Sequence, residues 1–219
     1  MMKILAYCRI TNDSLLLNGT PDPVGPVQGA GTERLTAIYR AMELKYPKFH
    51  KMDNLSKAGF LASEMVLKSL SYDTETLDES TALVFANSSS SLDNDMRFQA
   101  TLDKENYFPS PAVFVYTLPN IVTGEIAIRN KIHGETSFFI MKSFNAEKMH
   151  IFVECAFACK KITQVLCGWT EYLNGHCDVL VMMVRKDAAK GFDFNISNIN
   201  KLYFDPYGTH DFRSEKADY

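Results

Sequence analysis

The sequence has no apolar stretch near the ~20 residues that a membrane-spanning helix needs. Its longest clean run, Val179-Leu180-Val181-Met182-Met183-Val184, has the length of a buried strand. It has no excess of positive charge. Lys and Arg number 23 against 26 Asp and Glu, a formal net charge of −3. That balance excludes the bulk basic character that favours nucleic acid or an anionic membrane. It has no regular cysteine spacing: Cys8, Cys155, Cys159, Cys167 and Cys177 are an odd, irregular set that fits neither a secreted disulfide framework nor a zinc ribbon. A reducing, cytoplasmic setting follows as the expectation. The five histidines are scattered without an H-x-x-x-H pair, so no metal site is expected. Met1–Arg9 has too short an apolar core for a signal peptide and reads as a first strand.

What is present is ordinary globular material. The chain has 219 residues, 46% hydrophobic and 22% charged, enough for one large domain. Lys3–Ile10 and Leu15–Leu17 are strand-like. Residues 18–31 are rich in Gly and Pro and read as a loop. A short helix follows with Leu35, Ile38 and Met42 at helical spacing. Asp53 or Asn54 is an N-cap for a longer helix, whose apolar positions Ala58, Leu61, Ala62, Met65, Val66 and Leu70 follow the 3.6-residue period. Thr81–Ala86 reads as a buried strand that empties into Asn87-Ser88-Ser89-Ser90-Ser91. Such a polar loop is either a solvated turn or part of a site at a strand end, and the turn is the simpler reading.

Pro119 should separate two segments, with Asn120 at the joint. Ser137–Phe144 is a compact β-like run. Asn145 caps the next helix, Ala146–Lys161, with Glu147 in its first turn. That helix is apolar on nearly every side, which predicts burial between layers, with Cys155 and Cys159 as core residues. Thr163–Tyr172 and Cys177–Arg185 are strands joined by Asn174-Gly175, a hairpin signal. The alternation predicts a layered α/β protein with a buried central helix. After Lys186 the chain stays aromatic (Phe192, Phe194, Tyr203, Phe204, Tyr207, Phe212) and should pack on the body.

Residues Pro111–Ile128, with Pro119-Asn120 and Ile126-Ala127-Ile128, followed by Gly134-Glu135, resemble the β-ketoacyl synthases (3-oxoacyl-ACP synthases) of the thiolase-like superfamily. Lys51-Met52-Asp53 with Lys57 and Ala62 resembles the helix before that family's second core strand, and Thr81–Ala86 the strand itself. Val165–Trp169 resembles the strand that ends in paired glycines, and Cys177–Val184 the strand after it. The resemblance covers residues 1–186 and implies the N-terminal half of a thiolase-like layered fold. Residues 187–219 are then an extension packed on the same domain.

The departures bear on function. The family nucleophile is a cysteine at the start of the central helix, where the helix N-terminus lowers its pKa. Counting from Gly134 places Ser143 there. Glu135 replaces the family's proline and Trp169 its second glycine. The family's two histidines come from a second half for which this chain is too short. Gly208-Thr209-His210 resembles a histidine motif but is read as coincidence. The resemblance implies a protein of fatty-acid, polyketide or aryl-polyene pigment synthesis without condensing activity, acting as a partner subunit. A thioester condensation needs a thiolate and oxyanion donors together. Two alternatives stay open: Ser143 as acyl acceptor of an acyltransferase or hydrolase, with His133 or His150 as base, or a site completed by a second chain. The expected partners are an acyl carrier protein or a full-length ketoacyl synthase, through a homodimer or heterodimer that pairs the strand Ser137–Phe144. No cofactor is implied.

Overall fold

A computed structural model describes residues 1–103, 105 and 108–207; Gly208–His210 and Phe212 lie outside the described residues. The elements run β1 (Met2–Thr11), β2 (Leu15–Leu17), β3 (Thr20–Pro21), α1 (Gly31–Ala41), a 3-10 turn (Pro47–Lys51), α2 (Asn54–Ser69), β4 (Thr81–Asn87) and α3 (Leu92–Gln99). Then follow α4 (Pro111–Phe114), α5 (Ile121–Asn130), β5 (Thr136–Ile140), α6 (Ala146–Ala158), β6 (Gln164–Leu173), β7 (His176–Lys186), β8 (Phe192–Asp193) and α7 (Ile196–Phe204).

The strands form one mixed sheet in the order β3-β2-β1-β7-β6-β4-β5, with β8 paired to β1. β4 runs parallel to β5 and β6, whereas β6–β7 and β7–β1 are antiparallel. All seven residues of β4 are buried, as expected of a strand with parallel neighbours and both faces covered. The hairpin between β6 and β7 turns on Asn174 (φ 51°) and Gly175 (φ 81°), the two left-handed positions that a tight two-residue turn requires.

Side chains alternate across the sheet and build two cores. Leu83, Phe85, Leu166, Val179, Val181 and Met183 face α1, α2 and α5. Ala82, Val84, Val165, Cys167, Leu180 and Met182 face α6 and α7. The Asp53 side chain accepts the Ser56 N–H at 3.0 Å and starts α2; Asn145 accepts that of Lys148 at 2.8 Å and starts α6.

A buried helix between layers is present, but it is α2 and not α6. Every residue from Leu55 to Leu67 is buried. α6 buries only Ala146, Met149, Val153, Ala156 and Phe157, and Ile151 is 47% exposed. Cys155 is exposed and Cys159 half-buried, so neither is the core residue the composition implied. α6 has the sheet beneath it and α7 beside it, and its outer face meets neither. The helix also stops at Ala158, and the strand within Ser137–Phe144 covers Thr136–Ile140 alone.

Candidate functional site

The junction of β5 and α6 is where the sequence places its candidate residue. At the other end of β5, Gly134 passes beside the start of β4, where a Cβ would stand 2.0 Å from the Thr81 carbonyl oxygen, so only glycine fits. β5 then follows β4 in parallel register, from Leu83 opposite Thr136 to Asn87 opposite Ile140. The Met141 N–H donates to the Asn87 carbonyl at 2.8 Å and turns the chain inward. Lys142 and Ser143 are exposed, two residues ahead of the Asn145 cap.

Ser143 lies two residues before the Asn145 cap of α6. Among the described residues it has no hydrogen-bond partner. Neither proposed base is brought to it by a bond. His133 precedes β5, at the opposite end of the strand, with its backbone N–H on the Asp78 carbonyl. His150 stacks on Phe194, with ring centroids 5.0 Å apart, and its Nδ1 stands 3.4 Å from the Glu154 carboxylate. A serine hydroxyl without a base is a weak nucleophile.

Phe144, the residue after Ser143, belongs to an aromatic cluster. Phe144 stacks on Tyr203 at 3.8 Å and meets Trp169 edge-on at 6.0 Å. Phe204 closes on both Phe144 and Tyr203. Tyr203 is held from behind by β1 and β7. The Arg9 guanidinium lies 4.6 Å from its ring centroid and Arg9 Nε donates to its carbonyl at 3.3 Å. Arg9 Nη1 pairs with the Asp178 carboxylate at 2.5 Å, and the Tyr203 hydroxyl donates to that same carboxylate. Burial first, and then the bond to Asp178, push the Tyr203 phenol well above its ordinary pKa. The Trp169 Nε1 is buried and has no hydrogen-bond partner among the described residues. That Tyr203 would stand beside Phe144 was not read from the sequence.

A second polar cluster sits at the end of β4, on the same sheet face. The loop after β4 is not a solvated turn. Ser88 N–H donates to the Glu171 carboxylate at 2.7 Å and Ser88 Oγ at 2.5 Å, joined by Ser89 N–H at 3.3 Å and the Ser89 hydroxyl. Asn87 is fully buried and exchanges bonds with the Ser90 backbone at 2.8 and 3.0 Å. Glu171 is the residue that the sequence did not single out. Its only signal was a carboxylate inside an otherwise apolar strand, which must be paired if buried.

None of the buried thiols suits nucleophilic work. Desolvation raises Cys8 and Cys167 far above the thiol range and pushes Cys177 up to about 12. Among the described residues no group of three or more His, Cys, Asp or Glu could hold a metal ion, and no helix is long and apolar enough to cross a membrane.

No protein-family model matches the sequence, and no curated protein does. Solved structures match the fold. The ishigamide ketosynthase/chain length factor superposes with a TM-score of 0.61 at 14% identity, over 86% of this chain and 63% of that one. The ketosynthase ApeO in complex with its chain length factor ApeC from Xenorhabdus doucetiae gives 0.57 at 12% identity, over 86% and 80%. A β-ketoacyl synthase from Burkholderia phymatum STM815 gives 0.57 at 11% identity, over 84% and 59%. The chain thus spans roughly three-fifths of the first and last of these, and more of the second. Likeness at such identity speaks for architecture: the chain has the thiolase-like fold of the ketosynthases and their chain length factors.

Proposed function

We propose that this chain is a non-condensing, ketosynthase-like subunit of a polyketide or aryl-polyene assembly system, and that it works paired with a second ketosynthase-fold chain. The observation that carries the reading is the β5–α6 junction. On the reading that Ser143 stands at the family's nucleophile position, it has no base bonded to it among the described residues, and the neighbouring Phe144 is packed into a cluster with Trp169, Tyr203 and Phe204. Pairing is supported by β5. Among the described strands it pairs with β4 alone, stands at the edge of the sheet and leaves Ile140 53% exposed. An uncovered apolar edge of this kind invites another strand. ApeO was solved with its chain length factor, and a further structural neighbour, AntDE:AntF, is a type II PKS acyl-carrier protein in complex with its ketosynthase (TM-score 0.56 at 14% identity), which supports a partner chain and a carrier here as well.

A second reading, Ser143 as an acyl acceptor, draws on its exposure ahead of the capped N-terminus of α6. One experiment separates the two. The purified protein is sized by light scattering, then offered an acyl-carrier thioester, alongside Ile140→Lys and Ser143→Ala. We expect a dimer that Ile140→Lys dissociates without loss of the fold, and no acyl transfer. A clean monomer overturns the pairing. Acylation that is lost in Ser143→Ala replaces the first reading by the second.

A further inference from the structure

The first turn of α2 carries a lysine in a place that suits no ammonium ion. Lys57 stands one turn inside the Asp53 cap, its backbone N–H on the Asp53 carbonyl at 2.9 Å, and the residue is only 7% exposed. Among the described residues its Nζ has neither a hydrogen-bond acceptor nor an ion-pair partner. The Phe49 ring centroid lies 5.8 Å from it, at the outer limit of a cation–π contact. The positive end of a helix dipole disfavours a cation, and a buried ammonium without a counter-charge is costly. Lys68, in the last turn of the same helix, shows the ordinary arrangement: it is exposed and sits at the negative end.

The groups around Lys57 work in the same direction. Burial first, and then the Arg97 guanidinium of α3, pull the Lys57 amine below its ordinary pKa, and the Asp53 carboxylate offsets only part of this. Asp53 is itself engaged by the Ser56 N–H at 3.0 Å. On α3, Asp93 takes the Asn174 N–H at 2.9 Å. On the 3-10 turn, Lys48 pairs with the Glu125 carboxylate at 2.9 Å, and His50 lies edge-on to Tyr39. Asn54, three residues before Lys57 and so on the same side of α2, lines an open surface groove with Met96, Arg97, Ala100 and Tyr172. Through Asn54 and Arg97 this groove borders the amine.

An amine kept uncharged has its lone pair free at neutral pH, and a lysine desolvated beside another cation is a nucleophile toward carbonyl compounds. We propose that Lys57 is a covalent carbonyl-binding site that takes a small aldehyde from the groove as an imine. The ammonium first releases one proton to solvent. The neutral Nζ then attacks the carbonyl carbon; the C–N bond forms as the C=O π bond breaks, and one Nζ proton passes to the oxygen to give a carbinolamine. Loss of that hydroxyl with the second Nζ proton, as water, leaves the C=N bond. One aldehyde is consumed and one water released, without oxidation or reduction. The site lies on the α1–α2 face of the sheet, away from the β5–α6 junction, and does not rest on the function proposed above.

The test is reductive trapping. The folded chain is treated with propionaldehyde and cyanoborohydride across a range of pH, and the propyl adducts are located by peptide mass. It is run on the wild type, Lys57→Met and Arg97→Gln, with melting curves for all three and Lys68 as the internal reference. At neutral pH Lys57 should be trapped about tenfold or more faster than Lys68, the gain in neutral amine that one pKa unit gives. Its rate should level off at a lower pH than that of Lys68. Arg97→Gln should slow trapping at Lys57 several-fold and leave Lys68 unchanged, and Lys57→Met should lose the fast adduct. Trapping at Lys57 no faster than at Lys68 overturns the proposal, as does one shared pH profile. Arg97→Gln trapped at the wild-type rate also overturns it, because the amine then owes nothing to the groove wall. If Lys57→Met does not fold, the wild-type comparison of Lys57 with Lys68 decides alone.

Discussion

Two apolar helices cover opposite faces of one sheet, and their fates differ. α2 buries 13 of its 16 residues, whereas α6 buries 5 of its 13. Composition does not explain this, because α6 has the more apolar surface by sequence. Neighbours do. α2 lies on β1, β6 and β7 and is flanked by α1 and α5. It also encloses polar groups, among them Ser63, whose Oγ donates to the Gly59 carbonyl, and Glu64, whose carboxylate receives Asn130 Nδ2 at 2.9 Å. α6 lies on the sheet with α7 at one side, and its far face stays open. That open face continues toward the β5 edge through the stack of Phe152 on Phe139, centroids 3.8 Å apart. That open face is mixed, with Ile151 and Cys155 among Glu147, Lys148 and Glu154, and it lies beside the β5 edge of the sheet.

The comparison breaks most readily at Phe60. Its ring is fully buried at the middle of α2 and stacks on Tyr46, centroids 5.4 Å apart. Phe60→Ala should cost about 3–5 kcal/mol, since the α2 layer is enclosed and cannot collapse into the cavity. Urea unfolding checks this. A loss below about 1 kcal/mol would mean that α2 is less firmly enclosed than its burial shows.

The sequence made the strands legible because burial there follows alternation and length. Lys3–Ile10, Thr81–Ala86 and the pair around Asn174-Gly175 all appear where period and turn chemistry placed them. The caps Asp53 and Asn145 were legible because their chemistry is local. What was not legible is whatever depends on a second surface. The outer face of α6 carries Ile151 and Cys155, which read as core residues until one asks what covers them. The packing of Phe144, beside Ser143 in the chain, depends on Tyr203, held there by Arg9 and Asp178 from two further strands. The role of Glu171 depends on a loop 82–83 residues distant. A local pattern contains none of these, and they are also the features that define the candidate site.

The chain passes from α2 into β4 through Asp78, and this link should give the α2 side an acid sensitivity. Burial alone would raise the Asp78 carboxyl. Donors from Thr81, Tyr72 and Ser80 outweigh it and hold the group well below its ordinary 3.8. A depressed carboxyl contributes stability that is fully present above 3.8 and is lost as the pH falls toward the lowered folded value. Glu64 works the other way. Burial raises it, so its contribution is present below 4.5 and fades as the pH rises through the raised value. Asp78→Asn should therefore flatten the loss of stability below about pH 3.8 while lowering stability at neutral pH, as followed by urea midpoints across pH. An unchanged acid limb would show that the turn between α2 and β4 carries no such linkage.

The smallest expected effect lies on the open face of α6. Ile151→Ala removes an exposed side chain from a helix surface and replaces it with a better helix former, so the change in stability should stay within about 0.5 kcal/mol. The same face supplies its own probe. Cys155 is exposed one turn further along, whereas Cys8, Cys167 and Cys177 are buried. A thiol reagent should label Cys155 in the native protein, with Cys159 slower, and reach the other three only on unfolding. If the open flank engages a second chain, labelling of Cys155 should slow as protein concentration rises, and Ile140→Lys at the β5 edge should abolish that protection. Labelling independent of concentration, in a protein that light scattering shows to be dimeric, would place the contact on β5 alone and leave the outer face of α6 a solvent surface.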